Sequence, residues 1–267
     1  MVQMKISTRT PHRLIGLTVI AVLIVGSLSL TELSPAGPAT PAQAAAISYG
    51  APLSGPAESP PNNSPGTGET LVALDLTAHT LRVQVQFSGL VAGTTASHIH
   101  ACTAAPGTGT AGIATQVPTF TGFPLGVTSG SYIHTFDTLD PTSYNPGFLI
   151  ANGGTAASAE AALAACLDQG RAYLNVHSTV FPGGEIRGFL LTAPQLVTNL
   201  QGFLSGLPVT PAGISTSLQA KLTEGASCGQ LQALIHEAEA QAGKKLTAAQ
   251  ASQISADATR IRAVLGC

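Results

Sequence analysis

His98-Ile99-His100 places two imidazoles one residue apart. On a β-strand successive side chains alternate, so both rings leave the same face. A third imidazole, His177, closes the segment Tyr173-Leu-Asn-Val-His, and a Gly-rich turn separates it from Glu185-Ile-Arg187. Read as a hairpin, this segment brings His177 beside Glu185 and puts Arg187 on the face of Glu185. Imidazole nitrogens suit copper and zinc, and two ligands from one strand plus one from a neighbour hold either ion economically. The metal candidates are therefore His98, His100 and His177, with Glu185 and Arg187 as supporting groups. A purely structural network, in which the rings bond loop backbone or Glu185, is the competing reading. Cys102 follows His100 by two residues, so a disulfide there would pin the loop beside the cluster.

The elements that must position these residues read as β over residues 45–192. Thr80-Leu-Arg-Val-Gln-Val-Gln-Phe alternates apolar and polar, the pattern of a half-buried antiparallel strand, and Glu69–Leu76 precedes it across a short turn. Further strands are expected at 96–101, 131–137, 171–177 and 185–191, separated by loops rich in Gly and Pro. A short helix is expected over 156–167. The fold class is mainly β, a Greek-key β-sandwich, followed by an α-helical C-terminal module over 193–267. In that tail Thr247-Ala-Ala-Gln250 is a capping box, after which Ile254, Ala258, Ile261 and Leu265 mark one helix face. A second helix over about 227–242 presents Leu231, Leu234, Ile235 and Ala238, and a short connection makes the two antiparallel. Weaker helical patterns run over 195–204 and 214–222.

Residues 1–44 read as an export signal: Lys5, Arg9 and Arg13, then an uncharged apolar stretch from Ile15 to Leu30, then Ala42-Gln43-Ala44 as a cleavage site. Its removal takes three of the 11 Lys and Arg and one of the 13 Asp and Glu, leaving a net charge near −4. So sparse and slightly acidic a chain lacks the cations that neutralise nucleic-acid phosphates. Once the signal is gone, nothing else is apolar enough for a membrane. Four cysteines in an exported chain suggest two disulfides, and three pairings are open. Cys228 begins one tail helix and Cys267 ends the other at the same end of the hairpin, which favours Cys228–Cys267 and leaves Cys102–Cys166. His79 falls in a turn and His236 on a charged helix face, both expected in solvent. His134 is expected as an ordinary strand residue. Asn62-Asn-Ser64 is formally a glycosylation acceptor. The metallopeptidase motif H-E-x-x-H does not occur in the sequence.

Leu53-Ser-Gly-Pro-Ala-Glu-Ser-Pro-Pro61, Phe87-Ser-Gly-Leu90, Ala96-Ser-His-Ile-His100 and Asn175-Val-His-Ser-Thr-Val-Phe-Pro-Gly-Gly-Glu-Ile-Arg-Gly188 occur in the order found in CHRD domains. The chain resembles this module, named after chordin and widespread in secreted bacterial proteins, over about residues 48–191. The resemblance implies an extracellular β-sandwich that binds a protein or surface partner; it does not imply an enzyme. It also adds Glu58, at the family's acidic position in the opening motif, to the supporting residues. A fainter likeness is to copper/zinc superoxide dismutase, with His98, His100, His177 and Arg187 at matching places. The bridging histidine and the zinc-loop residues have no convincing match, which puts dismutase activity in doubt; the likeness implies a three-histidine copper site, and copper-dependent redox chemistry with Arg187 guiding an anion is the competing function. The tail resembles FIMAH accessory modules through Gly213–Leu222, Gly243–Gln250 and Ile261–Cys267.

Overall fold

The computed structural model describes residues 46–207, 213–223 and 226–267. The expected export signal over residues 1–44 lies outside them. Seven strands form: β1 (Ile47–Ser54), β2 (Thr67–Asp75), β3 (Thr80–Ser88), β4 (Thr94–His100), β5 (Gly130–Asp137), β6 (Tyr173–Ser178) and β7 (Ile186–Phe189). They pair antiparallel in the order β4-β6-β7-β1-β2-β3-β5. Hydrogen bonding thus runs through every strand, and the sandwich-like shape comes from one curled sheet. Ile99, Leu174 and Val176 from the β4–β6–β7 half share a single core with Tyr49, Val72, Val83 and Phe136 from the other half. Each strand contributes alternate residues to that core, as period-two patterning requires.

The seam between the halves is narrow. β1 meets β7 through Ser54 opposite Arg187, and Gly50 pairs with Leu191 just beyond. β1 escaped the sequence reading because Gly50 and Pro52 interrupt its apolar pattern, yet it supplies Tyr49, Ala51 and Leu53 to the core.

Two helices cross between β5 and β6. The first, α1 (Pro146–Ala151), was not anticipated, whereas α2 (Ala156–Asp168) forms where expected, capped by Thr155 and Ser158. α2 buries Leu163 and Leu167 in the core. Its buried Glu160 accepts hydrogen bonds from Thr138 and from His79 Nδ1 at 3.0 Å. His79 is therefore tied to a carboxylate instead of pointing freely into solvent.

Among its described residues the tail has its own apolar core and four α-helices: α3 (Ala193–Ser205), α4 (Ile214–Ala220), α5 (Cys228–Gln241) and α6 (Ala248–Leu265). Capping boxes start α3, α5 and α6, including the Thr247–Gln250 pair. α6 buries Ile254, Ala258, Ile261 and Val264, while Leu265, expected on that face, is exposed. The face follows a spacing of three from Ile261 to Val264, which turns Leu265 outward. Both disulfides are present, Cys102–Cys166 and Cys228–Cys267, with Cα atoms 5.3 and 6.1 Å apart. The tail docks on the sheet through α6: Arg260 donates to both oxygens of Glu69 on β2 at 2.7 and 2.8 Å. Close by, a Cβ added at Gly50 would lie 2.8 Å from the Val264 methyl, so glycine lets helix and strand approach.

Candidate metal centre

β4 and β6 are neighbours, with His98 opposite Asn175 and His100 opposite Tyr173. Ser97, Ile99, Leu174 and Val176 are buried beneath them, so the alternate residues His98, His100, Tyr173, Asn175 and His177 share the other face. Loops cover that face. The three histidines are only 4, 9 and 8 % exposed in chain order.

Each ring is held by one backbone carbonyl. His98 Nε2 donates to Pro118 O at 2.7 Å, His100 Nδ1 to Ala111 O at 2.9 Å, and His177 Nδ1 to Pro182 O at 2.9 Å. A carbonyl oxygen only accepts, so each bonded nitrogen carries the ring proton. In the neutral tautomer the other nitrogen has a lone pair: Nδ1 of His98 and Nε2 of His100 and of His177. One ligand atom from each of the three rings can be chosen so that all lie within 4.8 Å of one another. His98 Nδ1 and His177 Nε2 are 3.3 Å apart, and His100 Nε2 is buried with no hydrogen-bond partner. Burial, with the repulsion of the neighbouring rings, pushes the His98 pKa down to about 4. Burial likewise lowers His100 and His177. The rings are therefore neutral at neutral pH, and converging lone pairs are the arrangement a cation satisfies.

The domain model for CHRD matches residues 49–190, more than half of the chain. The chain belongs to the CHRD domain family. No curated protein and no solved structure matches it.

Around the three rings, the supporting residues of this CHRD domain divide. His100 stacks on Tyr173 with ring centres 4.8 Å apart, and the Arg187 guanidinium lies over the same tyrosine at 4.7 Å. Arg187 is spoken for: Nε donates to Ala57 O at 2.5 Å, Nη1 to Gly109 O at 3.2 Å, and Glu58 Oε2 lies 3.7 Å away. Glu58 faces Arg187 through Oε2, while a Cβ at Gly184 would meet both its Oε1 at 2.6 Å and Asn175 Nδ2 at 2.8 Å. Glu185 departs from expectation. Its backbone joins the hairpin by donating to Val176 O, but its carboxylate accepts from Ser64 Oγ and Val91 N at 2.6 and 2.7 Å. It makes no hydrogen bond to His177, whose ring proton goes to Pro182 O. Asn62 is also committed, donating to the carbonyls of Gly184 and Glu185 while accepting from Ser64 N. A side-chain nitrogen so engaged makes a poor glycan acceptor. His134 sits on β5, at the far end of the strand order, with its ring against Phe136. The carbonyls of Ala111, Pro118 and Pro182 were invisible to sequence reasoning, because backbone acceptors carry no residue-type signal.

Glu58 yields a prediction of its own. Burial outweighs the attraction of Arg187 and raises its pKa from 4.5 to about 7. Between those values the folded chain keeps a proton that the unfolded chain has released, so stability falls as pH rises. The contribution is fully present below the unfolded pKa and is lost as pH passes the folded one, a difference of about 3 kcal/mol. Glu58→Gln cannot titrate, so its urea-unfolding free energy should stay flatter than the parent's between about pH 5 and pH 8. Parallel pH profiles for the two proteins would refute this account.

Proposed function

We propose that the chain is an exported, non-catalytic CHRD-domain binding module whose His98, His100 and His177 hold one copper or zinc ion. One observation carries the reading: three imidazoles each offer a nitrogen within 4.8 Å of the others', and each ring is also anchored to a carbonyl at a separate loop position. Anchors of this kind set ring tautomer and direction in metal sites. A bound ion would supply positive charge where the lone pairs meet and would tie the β4–β6 face to its covering loops. Export is supported by the basic and apolar pattern of the first residues and by two disulfides. The helical tail, which resembles FIMAH modules, is on this reading an accessory unit. The partner class is an extracellular protein or surface. Copper redox chemistry of the dismutase kind has weaker support, because Arg187 is buried and its guanidinium donates to the carbonyls of Ala57 and Gly109, which leaves little of it to guide an anion.

Metal content of the mature protein after copper or zinc loading and dialysis tests the proposal. The parent should retain one ion per chain, and His98→Ala and His177→Ala should retain almost none while keeping the parent's circular dichroism. Negligible metal in all three proteins would overturn it. Bound copper with rapid superoxide turnover would overturn the non-catalytic part alone.

A further inference from the structure

We propose that the three-histidine centre selects monovalent copper, Cu(I), over divalent copper and zinc. The inference rests on the metal-site reading above and adds the charge of the ion.

The donor set is neutral. Each imidazole keeps its remaining ring proton because that proton is donated to a carbonyl. Among the described residues, no carboxylate and no thiolate joins the three ligand atoms in the cluster, so the complex has the full charge of the ion. That charge would sit among side chains that are 4 to 9 % exposed. The cost of taking an ion out of water rises with the square of its charge, so a divalent ion costs about four times what a monovalent one of equal size does.

Among the described residues, the two supporting carboxylates, Glu58 and Glu185, stay outside the ligand cluster. Glu58 Oε2 lies 3.7 Å from Arg187 Nε and is not one of the clustered ligand atoms. Glu185 turns its carboxylate to Ser64 and Val91. Arg187 sets its guanidinium over Tyr173 at 4.7 Å, and that ring stacks on His100 with centres 4.8 Å apart, so fixed positive charge lies close to the site.

The ligand number agrees. Two nitrogens 3.3 Å apart can share an ion at bond lengths of about 2.0 Å. His79 is tied to Glu160, and His134 lies on β5. Structural zinc sites take four protein ligands, zinc on three histidines needs a water as its fourth, and divalent copper takes tetragonal shells. Cu(I), with a filled d shell, is satisfied by three imidazoles in or near a plane.

The test is anaerobic titration of the disulfide-intact mature protein with tetrakis(acetonitrile)copper(I) against bicinchoninate. Parallel titrations use Cu(II) and Zn(II) against chelators of known affinity. One Cu(I) per chain is expected, held tighter than Zn(II) by on the order of a thousandfold, the ratio that a desolvation difference of a few kcal/mol produces. His100→Ala should lose it and His134→Ala should keep it. X-ray absorption of the parent should show a shell of three nitrogens. Zn(II) or Cu(II) bound as tightly as Cu(I) would overturn the selectivity and leave the metal site standing. Failure of every ion to bind would overturn both.

Discussion

Gly188→Ala is expected to destabilise the β domain by more than about 4 kcal/mol, the range reserved for disruption of packed backbone. A Cβ at this position would fall inside the carbonyl of Pro52 and 2.9 Å from the Ala51 methyl. Neither obstacle is a flexible side-chain end. Pro52 is held in the β1–β2 ladder opposite Glu69, and Gly188 in the β6–β7 ladder opposite Leu174. Relief requires the seam between β7 and β1 to open, and that seam joins the histidine-bearing half of the sheet to the rest. Gly183→Ala, in the same hairpin, meets nothing within 4 Å and provides the control. Urea unfolding should show a much lower midpoint for Gly188→Ala and an almost unchanged one for Gly183→Ala. A Gly188→Ala protein as stable as its parent would mean that the seam yields easily.

That glycine illustrates which features could be read from sequence. Gly188 belongs to a recognisable motif, but the approach of Pro52 comes from residues far apart in the chain and leaves no local pattern. Local patterns were legible. The alternation through Leu81, Val83, Val85 and Phe87 became β3, and all four residues are buried. The Thr247–Gln250 and Ser227 caps mark the starts of α6 and α5, and their antiparallel packing delivers the Cys228–Cys267 bridge. β1 was missed because Gly50 and Pro52 break the alternation, although both serve close contacts with other elements. The docking of the tail through Arg260 and Glu69 depends on residues on different elements, each of which alone reads as an ordinary surface charge.

The site divides in the same way. His98 and His100 could be placed on one face because strand period is fixed, and His177 because its hairpin is short. Glu185 could not be placed, since a long side chain at the edge of a hairpin has several partners in reach. It chose Ser64 and Val91, which secures the loop before β2 and the turn after β3. The carbonyls that orient the rings come from loops over 101–120 and 179–185, where spacing carries no message about direction. Position in the tertiary structure, not residue type, turns three ordinary histidines into a candidate metal centre.

The two disulfides provide a way to separate stability from site geometry. They close loops spanning sequence separations of 64 and 39 residues, so loss of either should cost about 4 kcal/mol by the chain-entropy account. Their surroundings differ. Cys102 follows His100 by two residues and anchors to Cys166 on α2 the start of the loop that carries Ala111 O and Pro118 O. Arg171 holds the same loop by donating to Thr103 O at 2.5 Å. Removing Cys102–Cys166 through a Cys102→Ser, Cys166→Ala pair should therefore weaken metal retention by roughly tenfold to a hundredfold, as loss of ring-orienting groups does. Removing Cys228–Cys267 should lower stability by a similar amount and leave retention unchanged, because that bridge lies within the tail. Equilibrium unfolding and competitive metal titration on the two variants give both quantities. Equal weakening of metal binding in both would trace the effect to lost stability alone. Weakening confined to the first ties the histidine centre to the loop that Cys102 holds.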